Sequence, residues 1–375
     1  MTATSESDSH RIWIELVQNG SLAQTIALLA PELGEALLPA ASRQRLIERA
    51  RRLPPLPAAG FECRLGEQEM LVDLQQWVRG STSDVDLLKR FVADAAHCPL
   101  HPDVGARLAA LCDAWQDPAC VLYDMLAEAW LEYDFVEASA GSETPAACPS
   151  IFIGLPQSLI SPDERWAAVQ CALDILMEGN WRAWREALLR TMVACPPEAF
   201  VSHVGAMLGR ALPALRVNVK RLRPHTMARY LEMVNWPGEI AAAMAVAEKL
   251  FGFVDHITLC LDVGKQLYPR LGFECVLIAQ SPTEPRWAVL LDYLVEEGLC
   301  TAAKRDGFLG WSGMTTPLLS DLDWPDHLIV ESLIHPANHL SIIQRRFSHI
   351  KVIYVPGEPL SAKGYVGFAP HWMKL

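Results

Sequence analysis

Residues Ser281–Gly298 read "SPTEPRWAVLLDYLVEEG", and residues Ser161–Gly179 read "SPDERWAAVQCALDILMEG". Both begin Ser-Pro, carry a Glu at position 164 or 284, continue Arg-Trp-Ala and close on Glu-Gly. Ser161 and Ser281 stand where an N-cap belongs, with Pro at the first helical position and acid in the first turn. Trp287, Leu290, Leu291 and Leu294 fall at i, i+3, i+4 and i+7, and Trp166, Val169 and Leu173 repeat most of that stripe. Such a stripe predicts a helix packed on a sheet, so the repeated start is a mark of architecture.

Other fragments recur in the same order. "LRVNV" (215–219) matches "IKVIY" (350–354), "ARYL" (228–231) matches "AKGY" (362–365), and Asp134 matches Asp262. These spacings predict an internal duplication. The expected division is a disordered tail over 1–10, an N-terminal helical region with room for a first hairpin over 11–125, and two repeat halves over 126–252 and 253–375.

Between the helices, "FECRLGEQEMLVDLQ" reads as two short strands around Gly66, with helix as the alternative for its second half. "AWLEYDFV" (129–136) and "SIFIGL" (150–155) read as a hairpin with a long polar loop, helices are expected over 162–210, and "LRVNVKRL" then stands without a partner strand. Two helices over 226–250 precede the strands "ITLCLDVG" (257–264) and "GFECVLIAQ" (272–280). After helices over 284–310, "DHLIVESLI" reads as a strand or a connection, and two strands flank the Pro-Gly-Glu-Pro turn at 356–359. The class is α+β: helix pairs alternating with hairpins, the antiparallel sheet curled or closed into a barrel with helices outside.

The totals exclude several function classes. With 375 residues, 51% hydrophobic and 20% charged, a sizeable core is easily built. The net charge of −12 argues against nucleic acid as a partner, since phosphate binding needs a basic footprint. No apolar run is long enough to span a bilayer, so no membrane partner is expected. The start lacks a signal-peptide pattern, and ten cysteines are scattered without a Cys-x-x-Cys pair, which predicts reduced thiols and a cytoplasmic protein. The cluster His335, His339 and His349 and the pair His97/His101 lack zinc spacing, and no nucleotide or Ser-hydrolase fingerprint occurs, so neither metal nor cofactor is expected.

The order of helix pairs and hairpins, with "FECR", "RVNVK", "KVIYV" and "AKGY" on its strands, resembles the ABBA aromatic prenyltransferases. The resemblance implies a closed barrel whose lumen holds an allylic diphosphate and an aromatic acceptor. It implies that Arg216, Lys220, Lys351 and Lys363 bind the diphosphate, that Tyr365 shields a carbocation, and that Glu62 accepts an indole N–H. Lys351 and Tyr354 depart from the pattern, falling on opposite faces of an ideal strand. Glu132, Asp134, Asp262 and Glu274 would oppose a diphosphate if they point inward. Glu132 and Asp134 share a strand face and, as substrate-binding residues, could divide acid and base roles, or they form a salt-bridged pair or a solvated edge; Asp262 suits a cap on the turn at Gly264.

Two functions therefore stand side by side. One is transfer of an allylic group from a diphosphate to an indole or phenol. The other is a non-catalytic accessory protein of a peptide natural-product pathway, which holds a precursor peptide by strand addition.

Overall fold

The computed structural model describes residues 21–67, 71–80, 82–94, 98, 100–134, 148–157, 161–209, 214–318, 323–334 and 339–374. The described residues form five successive units, each built on two helices and two strands, with short added elements in the second and fifth. The first holds α1 (Ser21–Leu29), α2 (Ala40–Ala50), β1 (Ala59–Arg64) and β2 (Val72–Arg79). The second holds α3 (Thr82–Ala93), α4 (Pro102–Gln116), the short α5 (Leu122–Met125), β3 (Glu128–Tyr133) and β4 (Ser150–Gly154). The third holds α6 (Pro162–Met177), α7 (Arg185–Val193), β5 (Phe200–Ala206) and β6 (Leu215–Lys220). The fourth holds α8 (Pro224–Met233), α9 (Ile240–Phe251), β7 (His256–Val263) and β8 (Leu267–Val276). The fifth holds α10 (Arg286–Glu296), α11 (Ala302–Trp311), β9 (Gly313–Thr315), α12 (Asp326–Ile334), β10 (His339–Tyr354) and β11 (Ser361–Lys374).

Every strand pairs antiparallel with its neighbour, and β11 returns to pair with β1, so ten strands close into a barrel. The short β9 lies outside the ring, on β10. Closure removes the free edges of a long sheet. The core lies between barrel and helices. On β3, Ala129, Leu131 and Tyr133 point out and are buried, whereas Glu128, Trp130 and Glu132 face the lumen and are half-buried. Period-two alternation on the strands thus separates an apolar outer face from a polar inner one.

Among the described residues three register shifts interrupt the ladders, on β10, on β5 and in the β7–β8 hairpin, and the first two adjust that alternation. On β10 the register against β11 shifts between Phe347 and His349. Upstream, Ile343 and Phe347 pack into the outer core; downstream, His349 and Lys351 turn inward although they share the same parity. The Gln280 side chain holds the bulge, donating to Phe347 O (3.1 Å) and accepting from Phe347 N (2.7 Å). On β5 a shift between Val201 and His203 does the same, leaving Val201 outside and His203 inside.

The β5 bulge explains one departure from the sequence reading. Residues 200–206 fall within the span expected to be helical, yet they form the partner of β6, and the extra residue breaks the alternation that marks a strand. "DHLIVESLI" is the helix α12, started by Pro325 and Asp326 despite its β-branched content. The run from His339, which resembles a helix start, opens β10. "ARYL" lies in α8 and "AKGY" in β11, while "LRVNV" is the second strand of its unit and "IKVIY" the first of its own; these two matches are coincidences.

The tryptophan helices occupy equivalent places, each opening its unit. Ser161 caps α6 with a full capping box, its Oγ accepting from Glu164 N (3.2 Å) while Glu164 accepts from Ser161 N (2.9 Å). Ser281 caps nothing. The extra Pro285 delays the helix to Arg286, because the residue before a proline is driven out of helical conformation. Trp287, Leu290, Leu291 and Leu294 are fully buried, with Trp287 stacked on Phe347 at 4.5 Å. Trp166 is only half-buried, edge-on to Trp181 at 6.1 Å and beneath the Arg185 guanidinium.

That difference is measurable. Trp287→Ala is expected to lower the unfolding free energy by about 3–5 kcal/mol, and Trp166→Ala by less than half as much. Urea denaturation of both variants checks it; equal losses would show that the two helices are equivalent in packing as well as in place.

Candidate functional site

The lumen is built from inward positions of neighbouring strands, and its charges meet in cross-strand pairs. Glu62 on β1 lies opposite Tyr365 on β11 and is buried. Lys363 donates to one of its oxygens, and the Tyr365 hydroxyl to the other at 2.5 Å. Lys351 on β10 donates to Glu274 on β8 at 2.9 Å, in register across the two strands. Arg216 on β6 makes a bidentate contact with Asp262 on β7, at 2.7 and 3.0 Å, and Arg270 adds a third bond at 3.4 Å. Arg64 and Asp73 form a fourth pair at 2.9 Å.

Burial pushes the Glu62 carboxyl up, but Lys363, Tyr365 and the nearby Lys351 outweigh it and hold it at about 2. Glu274 follows the same logic: burial raises it, while Lys351 and His349 pull it well below the ordinary range. His349 is driven down to about 4 by burial, so the imidazole is neutral near pH 7. Its ring stacks on Tyr365 at 4.1 Å, and the Lys351 ammonium lies 5.9 Å from the Tyr365 face. Lys351 needs space beside β8: a Cβ on Gly272 would sit 2.6 Å from Lys351 Cε.

A second group occupies the wall formed by β2 to β5. Trp77 and Trp130 face each other in register and stack at 5.7 Å with planes 9° apart. Phe152 on β4 is the inward neighbour of Trp130. Trp77 Nε1 donates to Glu128 Oε2 at 2.7 Å, and His203 Nε2 lies 2.9 Å from Glu128 Oε1. The last contact spans two strands. A Cβ on the intervening Gly154 would stand 2.4 Å from Glu128 Cγ and 3.1 Å from His203 Nε2, so only glycine permits it.

Seven of the eight residues singled out in the sequence are thus placed on the barrel's inner face. Glu62, Arg216, Lys351, Lys363 and Tyr365 form the charged layer, and Glu132 joins it, accepting from Gln75 Nε2 at 2.9 Å. Lys220, half-buried at the end of β6, faces inward in step with Arg216, and its charge acts on Glu128 and His256. Asp134 lies beyond the end of β3 and is exposed. Asp262 does not serve as a turn cap; its carboxylate is spent on Arg216 and Arg270. Sequence reasoning missed Glu128, His203, Asp73 and Arg64. Glu128 carried a signal, since Glu128, Trp130 and Glu132 alternate; His203 did not, being hidden in the bulged strand.

Among the described residues no three His, Cys, Asp or Glu side chains are grouped to hold a metal ion, and no helix is long and apolar enough to cross a membrane. His97 and His335 lie outside the described residues.

No family model matches the sequence, and no curated protein matches it. Solved structures do match. A 6-dimethylallyl tryptophan synthase aligns over 97% of this chain and 96% of its own, at 13% identity and a TM-score of 0.50. AnaPT from Neosartorya fischeri aligns over 96% and 94%, at 10% identity and a TM-score of 0.52. The chain is remotely similar to the ABBA-type aromatic prenyltransferases, and the likeness is one of fold.

Neutralisation in the lumen has a pH signature. The folded-state pKa of Glu62 lies below its ordinary 4.5, at about 2, so its contribution is present above 4.5 and lost as pH falls through that window. Glu62→Gln is expected to be less stable than wild type at pH 7, with the gap narrowing by about 3 kcal/mol between pH 4.5 and 2. Urea midpoints at successive pH values test it; parallel curves would show that Glu62 is not held ionised by its neighbours.

Proposed function

We propose that the barrel lumen binds a planar aromatic molecule and that the chain transfers an allylic group to it from a diphosphate. The observation that carries this reading is the convergence of Arg216, Lys351 and Lys363 beside Glu62 and Tyr365 inside one closed barrel. In such a transfer the allylic C–O bond breaks and its electron pair leaves with the diphosphate. The ring carbon then bonds the allylic carbon, and a ring proton is lost.

The residues present suit these steps. Lys351 and Lys363 each have three N–H donors and Arg216 has five, so donors remain for phosphate oxygens after the carboxylate contacts are made. The Tyr365 ring offers a π face to a developing cation, as it already does to the Lys351 ammonium. One of the matched structures is a 6-dimethylallyl tryptophan synthase by name, which makes tryptophan and dimethylallyl diphosphate the first pair to try.

One observation favours a second reading, a non-catalytic binder. Arg216, Lys351 and Lys363 already have strand carboxylates, so the lumen is largely self-neutralised and admits an uncharged ligand more easily than a diphosphate. Within the closed ring each strand is paired on both sides, so strand addition has no edge there; β9 and the ends of β10 and β11 that run past β8 and β1 lie outside it. A peptide bound at the ring itself would therefore present an aromatic side chain to the lumen.

Incubating the protein with dimethylallyl diphosphate and tryptophan, tyrosine or a tryptophan-containing peptide, with products followed by mass, separates the two readings. Transfer predicts a product heavier by one isoprene unit, and Arg216→Ala is expected to cut kcat/KM for the donor by about tenfold or more. Acceptor binding without product from any allylic donor would leave the binder; product formation unaffected by Arg216→Ala would remove Arg216 from the diphosphate site.

A further inference from the structure

We propose that Cys120 and Cys171 form a reversible disulfide that clamps the second helix-and-strand unit to the third. The pair lies in the helical layer outside the barrel, so the inference is independent of how the lumen is used.

The two sulfurs already touch, Sγ to Sγ at 3.8 Å, although 51 positions separate them in the sequence. Cys171 stands near the middle of α6, whereas Cys120 lies on the turn that joins α4 to α5. That turn is held by Cys120 N donating to Asp117 O (2.9 Å) and Ala119 N donating to Asp117 Oδ1 (2.9 Å). It is freer to shift than a helix, and a shift of the turn can bring the sulfurs to the bonded distance of about 2.05 Å. Both thiols are free and half-buried, so a small reagent reaches them in the folded chain. Cys63, Cys112, Cys260, Cys275 and Cys300 are buried and serve as internal controls.

The reaction needs an electron acceptor, and a small-molecule disulfide of the glutathione class supplies it. One protein thiolate attacks that disulfide, forming a mixed disulfide and expelling one small thiolate. The second protein thiolate attacks the mixed disulfide at the protein sulfur and expels the other. The two protein thiols give up two protons and two electrons, and the small disulfide is reduced to two thiols. In either order Cys171 acts once as a thiolate. Burial, the Cys120 contact and the charge of Asp174 push its pKa up to about 11, so closure is slow near pH 7 and quickens as pH rises. The bond closes a long loop and so restricts the unfolded chain. It also ties α6 to the turn that leads through α5 into β3, where units two and three otherwise meet by packing and strand pairing alone.

The test is incubation of the full folded chain with oxidised glutathione at pH 7 and pH 9, then denaturation, alkylation of the remaining thiols and peptide mass mapping. A peptide pair joined through Cys120 and Cys171 is expected, reversed by dithiothreitol and formed at least about tenfold faster at pH 9 than at pH 7. The five buried cysteines should be recovered as alkylated thiols. Oxidation should raise the urea midpoint of wild type by about 0.5 M or more and should not raise that of Cys120→Ser or Cys171→Ser. If Cys171→Ser fails to fold, Cys120→Ser, on the turn, carries the comparison. Recovery of both cysteines at pH 9 as free thiols or as separate glutathione adducts overturns the proposal. So does a link from either to another cysteine, or a linked chain whose midpoint does not rise. Neither measurement depends on a lumenal ligand, so the transfer reading stands or falls separately.

Discussion

A charge inside a narrow protein lumen is tolerated only beside its opposite, and this barrel meets that requirement strand by strand. Lys363 with Glu62, Lys351 with Glu274, Arg216 with Asp262 and Arg64 with Asp73 are all contacts between hydrogen-bonded neighbours. Breaking such a pair by removing one partner strands the other charge and costs about 3–5 kcal/mol. The pairs therefore tie the register of the inner face to the stability of the whole, and any ligand that enters must respect or replace them.

Much of the architecture was legible because it is local. The Ser161 cap, the Trp287 stripe and the alternation of Arg216, Asn218 and Lys220 each reflect a period or a cap that the neighbouring residues alone decide. What was not legible depends on pairing between distant strands. Asp262 reads in isolation as a turn cap, and only the register of β6 against β7 makes it the partner of Arg216. Glu274 likewise becomes a neutralising group only because β8 lies beside β10. The fifth strand was lost for a different reason: one bulged residue erases a period-two signal while leaving the strand itself intact.

The candidate site divides along the same line. Positions bearing Lys, Arg or Tyr could be picked out by alternation. The aromatic wall could not be assembled, because it needs side chains that are missing. Gly154, Gly205 and Gly272 are inward positions where a neighbour's bulk occupies the space a side chain would fill. In a closed ring the inner face has less room than the outer, and glycine is how three of its positions yield that room to Glu128, Phe152 and Lys351.

Closure joins the last strand of the chain to the first, and this bears on how the protein is made. On the ribosome β1 emerges early, while Lys363 and Tyr365, the residues that satisfy Glu62, follow some 300 positions later. Until β11 is released, the nascent chain carries an unsealed curved sheet with an unpaired acid on its first strand, a state of the kind that aggregates and that chaperones guard. Synthesis of the final hairpin is thus the event that both shuts the ring and discharges its interior.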